Sequence, residues 1–123
     1  MIMNLRNRVQ LIGNLGSEPQ IREFENGRKL ARFSLATTDV YKKEGKYVRD
    51  TQWHSVTAWN KLAEVLQNRE VSTGSEVIVM GSIVSSTFTD RNGNERKISE
   101  IVADSIMVRR LKRADAKMEK NIA

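Results

Sequence analysis

Residues 52 to 59, QWHSVTAW, hold both tryptophans and the only histidine of the chain. Indoles offer broad flat faces, so two of them close together can stack on other rings, fill a core or seal a subunit contact. On a strand, residues an even number apart share a face. Trp53 and Trp59 therefore stand with Ser55 and Thr57, while His54, Val56 and Ala58 line the other, smaller and more apolar face. A strand that only builds a core would turn its tryptophans inward and its hydroxyls outward. This one sets the large rings on the polar side, which points to a flat ligand or a second subunit.

Other chemistries have little to work with. The chain has no cysteine and one histidine, which leaves neither thiolates nor an imidazole set for zinc or a redox metal. No cofactor and no metal are expected. A metal enzyme would have to use carboxylates alone, as a two-metal nuclease does. Glu18, Glu23 and Glu25 lie near turns without a metal-binding companion, and most other carboxylates are scattered, so no catalytic residue is assigned. His54 reads as a hydrogen-bonded structural residue rather than a general base. GNLG, residues 13 to 16, lacks the third glycine and the following helix of a dinucleotide site and reads as a bend in a strand.

The cations are better placed. The net charge is +6, of which +4 falls in the segment from Arg109 onward, where six Lys and Arg face Asp115 and Glu119. A mildly basic body with a basic tail suits a polyanion, through long-range attraction and counterion release. The candidate phosphate contacts are Arg8, Arg22, Arg28, Arg32, Lys42, Lys43, Lys46, Arg49 and Lys61, the arginines being able to stack as well.

A chain of 123 residues with 39% hydrophobic and 29% charged residues is expected to fold as one domain with a modest core. It has no apolar run long enough for a membrane span and no signal-peptide pattern at its start, so a cytoplasmic location is expected.

Strands separated by turn signals must position these groups. Val9, Leu11, Gly13 and Leu15 alternate with polar partners, GNLGSEP breaks the run, and Ile21 to Glu25 extends it. Asn26-Gly27 predicts a tight two-residue hairpin turn into a second strand through Leu30, Phe33 and Ala36. Residues 41 to 50, YKKEGKYVRD, read as a basic loop before the tryptophan strand, the third. Asn60 is the expected N-cap of a helix of about two turns carrying Leu62, Val65 and Leu66. Val77 to Phe88 is the fourth strand, with Gly81 marking a bulge or bend; Asn92-Gly93 is a second hairpin turn, and Ile98 to Val108 is the fifth strand.

Five strands with one short helix between the third and fourth is the order of an all-β, five-stranded OB-fold barrel, whose strand two and three face binds oligonucleotides. Tyr41 ends strand two and Phe88 ends strand four. Tyr41, Trp53, Trp59 and Phe88 are thus expected to form one discontinuous stacking surface, worth about 1–3 kcal/mol per stacked base.

NRVQLIGNLGSEPQIR, NGRKLARFSLAT, TQWHSVTAWNKLAEV and the TD-x-x-G turn after Phe88 resemble the bacterial single-stranded DNA-binding family of homotetrameric OB-fold proteins, over about Asn7 to Val108. The resemblance implies sequence-independent binding and protection of single strands in replication, recombination and repair. It implies base stacking at Tyr41, Trp53, Trp59 and Phe88, phosphate contacts at Arg8, Arg22 and Lys61, and further contacts by the cations of residues 42 to 49. It also implies a subunit contact near His54. Residues 1–108 would form the binding domain and 109–123 a basic tail. A primosome-type or RNA-preferring OB-fold module is the alternative, and a nuclease a more distant one.

Three features depart from the family pattern. VSST before Phe88 is uncharged, and Ser55 stands where a basic residue is frequent. The tail is basic, without the acidic tip that recruits partner proteins, so such recruitment is not implied. The segment between strands two and three is compact.

Overall fold

The computed structural model describes residues 5–112. They form β1 (Val9–Leu15), β2 (Gln20–Glu23), β3 (Lys29–Lys43), β4 (Lys46–Trp59), α1 (Lys61–Asn68), β5 (Glu76–Thr89) and β6 (Glu95–Arg110). The predicted strand alternation decides what faces inward. Ala31, Phe33 and Leu35 on β3, Val56 and Ala58 on β4, Val77 and Val79 on β5, and Ile101 and Ala103 on β6 are all buried in one cluster. Ala63 and Leu66 of α1 complete it from one end.

The sheet closes on itself. β1 pairs with β5, β5 with β6, β6 in parallel with β4, and β4 with β3, whose other edge returns to β1 at Asn14↔Ala36 and Leu15↔Leu35. This is the five-stranded OB barrel expected. Asn14 pairs with both Glu76 and Ala36, so the bend read in GNLG is where β1 passes from β5 to β3. Gly81 lies at a register shift in the β5–β6 ladder, as expected, and a Cβ there would overlap the carbonyl of Val102.

Several local expectations are corrected. The Ile21–Glu25 extension is a separate strand, β2, which follows a break around Pro19 and continues along the edge of β3 that β1 reaches. The helix therefore lies between β4 and β5 in the full count. Residues 41–50 are not a loop. β3 and β4 pair without interruption from Leu30↔Trp59 to Lys43↔Lys46, forming a hairpin arm that turns at Glu44-Gly45 with φ of 52° and 78°. Positive φ at both central residues is the requirement of a two-residue type I′ turn.

The two Asn-Gly turns are three-residue loops instead. Phe24 N donates to Arg28 O (2.8 Å) and Gly27 N to Phe24 O (2.9 Å); Asp90 N donates to Asn94 O (2.9 Å) and Gly93 N to Asp90 O (3.1 Å). Only the glycine of each pair has positive φ, which fits a type I turn closed by a left-handed glycine. Asn60 precedes α1 as expected but makes no side-chain cap. Its Oδ1 accepts from Lys29 N (3.2 Å), so the side chain ties the helix start to β3 instead.

Candidate nucleic-acid interface

Register places the groups of interest. Across the β3–β4 ladder, directly opposed residues share a face. Trp53, Ser55, Thr57 and Trp59 thus oppose Ala36, Ser34, Arg32 and Leu30, and β2 adds Gln20 opposite Arg32 and Arg22 opposite Leu30. Trp53 is 64% exposed and Trp59 half-buried. Thr57, expected on an open polar face, is instead buried, because β6 runs alongside β4 there and Glu100 accepts its hydroxyl hydrogen bond at 2.9 Å.

Trp59 heads a column of π-systems. Its ring lies 6.0 Å from that of Phe24 at an interplanar angle of 20°, the Arg28 guanidinium stands 4.6 Å from its centroid, and the Arg22 guanidinium 5.1 Å from that of Phe24. Phe24, read from the sequence as structural, is thereby brought to the tryptophan face. Its signal was its place in the turn between β2 and β3, which the register lays beside the end of β4.

Trp53 occupies a different setting. Its ring lies over Gly16, where a Cβ would overlap ring atom Cζ3. Ser55 and Thr57, which separate the two tryptophans along β4, line a groove of about 400 Å³ together with Arg32, Ser34, Ser86, Ile98 and Glu100 among others.

The remaining expected residues are spread along two arms and the barrel flank. The unbroken register sets Lys42 and Arg49 on the same side of the β3–β4 arm as Trp53, with Tyr47, which is 77% exposed. Tyr41, Lys43 and Lys46 fall on the reverse side, so the geometry does not bring Tyr41 beside Trp53. Phe88 is exposed on the β5–β6 arm, opposite Arg96 and on the same face as Ser86, Ile98 and Glu100. Thus the uncharged VSST segment has cations on its partner strand, with Lys97 opposite Thr87. Arg96 Nε pairs with Asp90 Oδ2 at 2.9 Å. This guanidinium, with backbone donors Asn92 N and Asn94 N, holds the Asp90 carboxyl below its ordinary pKa.

Arg8 stands apart, with Nη2 3.3 Å from Met80 Sδ on the β1–β5 sheet. Lys61 opens α1 just beyond Trp59 and is exposed. His54 faces away from the tryptophans, opposite Leu35, and its Nε2 lies 2.9 Å from Thr37 Oγ1. Arg109 and Arg110 end β6; Arg113, Lys117 and Lys120 of the basic tail lie outside the described residues.

A closed barrel with outward tryptophans, cations beside them and no three-residue His, Cys, Asp or Glu cluster able to hold a metal among the described residues is a binding surface in search of a class of ligand. The Single-strand binding protein family model matches residues 6–109. The chain belongs to that family. It is 38% identical over 104 residues to Single-stranded DNA-binding protein 1 of Xylella fastidiosa strain 9a5c, covering 83% of this chain and 76% of that protein. It is 40% identical over 103 residues to the Single-stranded DNA-binding protein of strain Temecula1, covering 83% of this chain and 62% of the relative.

Two solved structures are similar to this chain over most of its length. The Plasmodium falciparum SSB in complex with ssDNA matches with a TM-score of 0.73 at 27% identity, over 91% of this chain and all of that one. The small single-stranded DNA-binding protein from Streptomyces coelicolor gives 0.69 at 27% identity, over 83% and 93%. No helix among the described residues is long and apolar enough to cross a membrane.

Proposed function

We propose that this protein binds single-stranded DNA without regard to sequence and performs no chemistry on the strand. The observation that carries the reading is the pairing of outward rings with cations on one face: Trp59 with Arg28, the adjoining Phe24 with Arg22, and Trp53 with the Arg32 groove and the Lys42 and Arg49 arm. Unstacked bases offer a π-face to any ring, and phosphates need positive charge, so one surface supplies both terms. Trp53, Trp59, Phe88 and Tyr41 are the proposed stacking residues. Tyr41 engages a strand wrapping the reverse of the arm, together with Lys43 and Lys46.

Arg8, just before β1 and beside Met80 of β5, and Lys61, just after Trp59, continue the cationic track. Residues 1–108 serve as the binding domain and the basic segment 109–123 as an added electrostatic contact. The protein works as a homotetramer in the bacterial cytoplasm, at the nucleoid, protecting strands exposed in replication, recombination and repair. Assembly is supported by the Val9–Gly13 edge of β1, which has no partner strand among the described residues opposite β5, and by the His54 side of β4.

Gel-shift titrations with single-stranded DNA, duplex DNA and RNA of equal length test this reading. Preference for single-stranded DNA, with the strand intact after incubation with Mg²⁺, supports it. Preference for RNA would favour the other binding module, and strand cleavage would make the protein a nuclease.

A further inference from the structure

Two cavities open beside β4, and one acidic side chain lines both. The larger is the groove containing Arg32, Ser55 and Thr57; the smaller, about 300 Å³, is lined by Trp53, His54, Ser55 and Ile83. Glu100 walls each of them. It is half-buried on β6, next to the short parallel pairing with β4, and Thr57, only 3% exposed, donates to its Oε2 at 2.9 Å.

A carboxylate at the centre of a surface for a polyanion repels phosphate. Neither ion pair found among the described residues involves Glu100, and the nearest cation lining its groove is Arg32, which is not paired with it. When ionised it has acceptor sites only. The buried Thr57 hydroxyl engages one oxygen and fixes the group, leaving Oε1 to accept from a ligand beside Trp53. What a stacked strand presents there, away from its phosphates, is the polar edge of a base.

We propose that Glu100, held by Thr57, reads the Watson–Crick edge of a base stacked on Trp53. It favours bases that offer an amino group there, such as cytosine with its N4 amine, over thymine, which offers one N3–H flanked by carbonyl oxygens. The inference rests on the single-strand binding proposed above: the surface still accepts every base by stacking, and Glu100 adds a graded preference among them at one position.

The test compares the affinities for oligo(dC) and oligo(dT) of equal length in the unaltered protein, Glu100→Gln and Thr57→Val, with melting curves for each. The ratio of dT to dC dissociation constants should fall about 5-fold or more in Glu100→Gln, the low end of what one base contact discriminates. Thr57→Val should shift it the same way by less, and it carries the comparison alone should Glu100→Gln fail to fold. A ratio unchanged in folded variants would overturn the proposal, and unchanged ratios with a lowered melting point would leave Glu100 only a tie between β6 and β4. Equal tightening for both oligonucleotides would also overturn it, as mere relief of repulsion. If the unaltered protein binds neither strand, the single-strand reading falls first and this one with it.

Discussion

The rings of Phe24 and Trp59 lie 6.0 Å apart and within 20° of parallel, although 35 positions separate them in the chain. The contact exists because β2 and β3 pair antiparallel and β3 hands its register on to β4, so the β2–β3 turn ends beside the last residue of the tryptophan strand. Phe24 extends the flat surface of Trp59, with the planar cation of Arg28 over Trp59 and that of Arg22 over Phe24. Phe24→Ala is expected to weaken oligo(dT) binding by about 1 kcal/mol, within the range for aromatic contacts, in a filter-binding or fluorescence titration. A cost in melting temperature with affinity unchanged would return Phe24 to a purely packing role.

Trp53→Ala and Trp59→Ala are each expected to cost about 1–3 kcal/mol of binding free energy. Trp53 is largely exposed, so its replacement should leave the melting temperature nearly unchanged. Collapse of melting with intact affinity per folded molecule would place these rings in the core.

Gly16 keeps open the space over which the Trp53 ring lies. In Gly16→Ala the new methyl group must push the ring aside, which the exposed side chain can accommodate without unfolding. Weaker binding with a preserved melting point is the expected result, read by parallel titration and calorimetry. Unaltered affinity would show that the ring's position is not critical.

Much of this site was legible because strand alternation alone separates Trp53, Ser55, Thr57 and Trp59 from the inward Val56 and Ala58. The barrel order followed from five β-rich runs and one short amphipathic helix. What alternation cannot supply is contact between distant strands. The Thr57–Glu100 bond spans 43 positions and depends on a parallel pairing only two residues long, and Phe24 looked structural until β2 was laid on β3. The 41–50 segment read as a loop because Glu44 is an unusual residue to hold positive φ, while its Lys and Glu content masked the alternating Val40, Lys42, Tyr47 and Arg49 of a ribbon. Both Asn-Gly pairs marked turns, but turn length depends on the closing hydrogen bonds, which the dipeptide does not encode.

Asp90 organises the tip of the β5–β6 arm, accepting from Arg96, Asn92 and Asn94. Because the Arg96 guanidinium and the backbone donors hold its folded pKa below the ordinary carboxylate value of 3.8, its contribution is present above that value and is lost as pH falls through the lower folded one. The tip should therefore be insensitive to pH between about 5 and 8 and loosen in stronger acid. Amide shifts of Asn92 and Asn94 followed by NMR should titrate together below pH 3.8; a midpoint at or above 3.8 would contradict the ion pair.

The central claim is that Trp53 and Trp59 meet bases directly, and it is tested most directly by following tryptophan fluorescence while titrating oligo(dT) at low and high salt. The account predicts strong quenching that saturates at a fixed number of nucleotides and persists in high salt, since stacking is not screened as phosphate contacts are. Binding without quenching, or binding abolished by salt, would contradict it and leave the cations as the only contact with DNA.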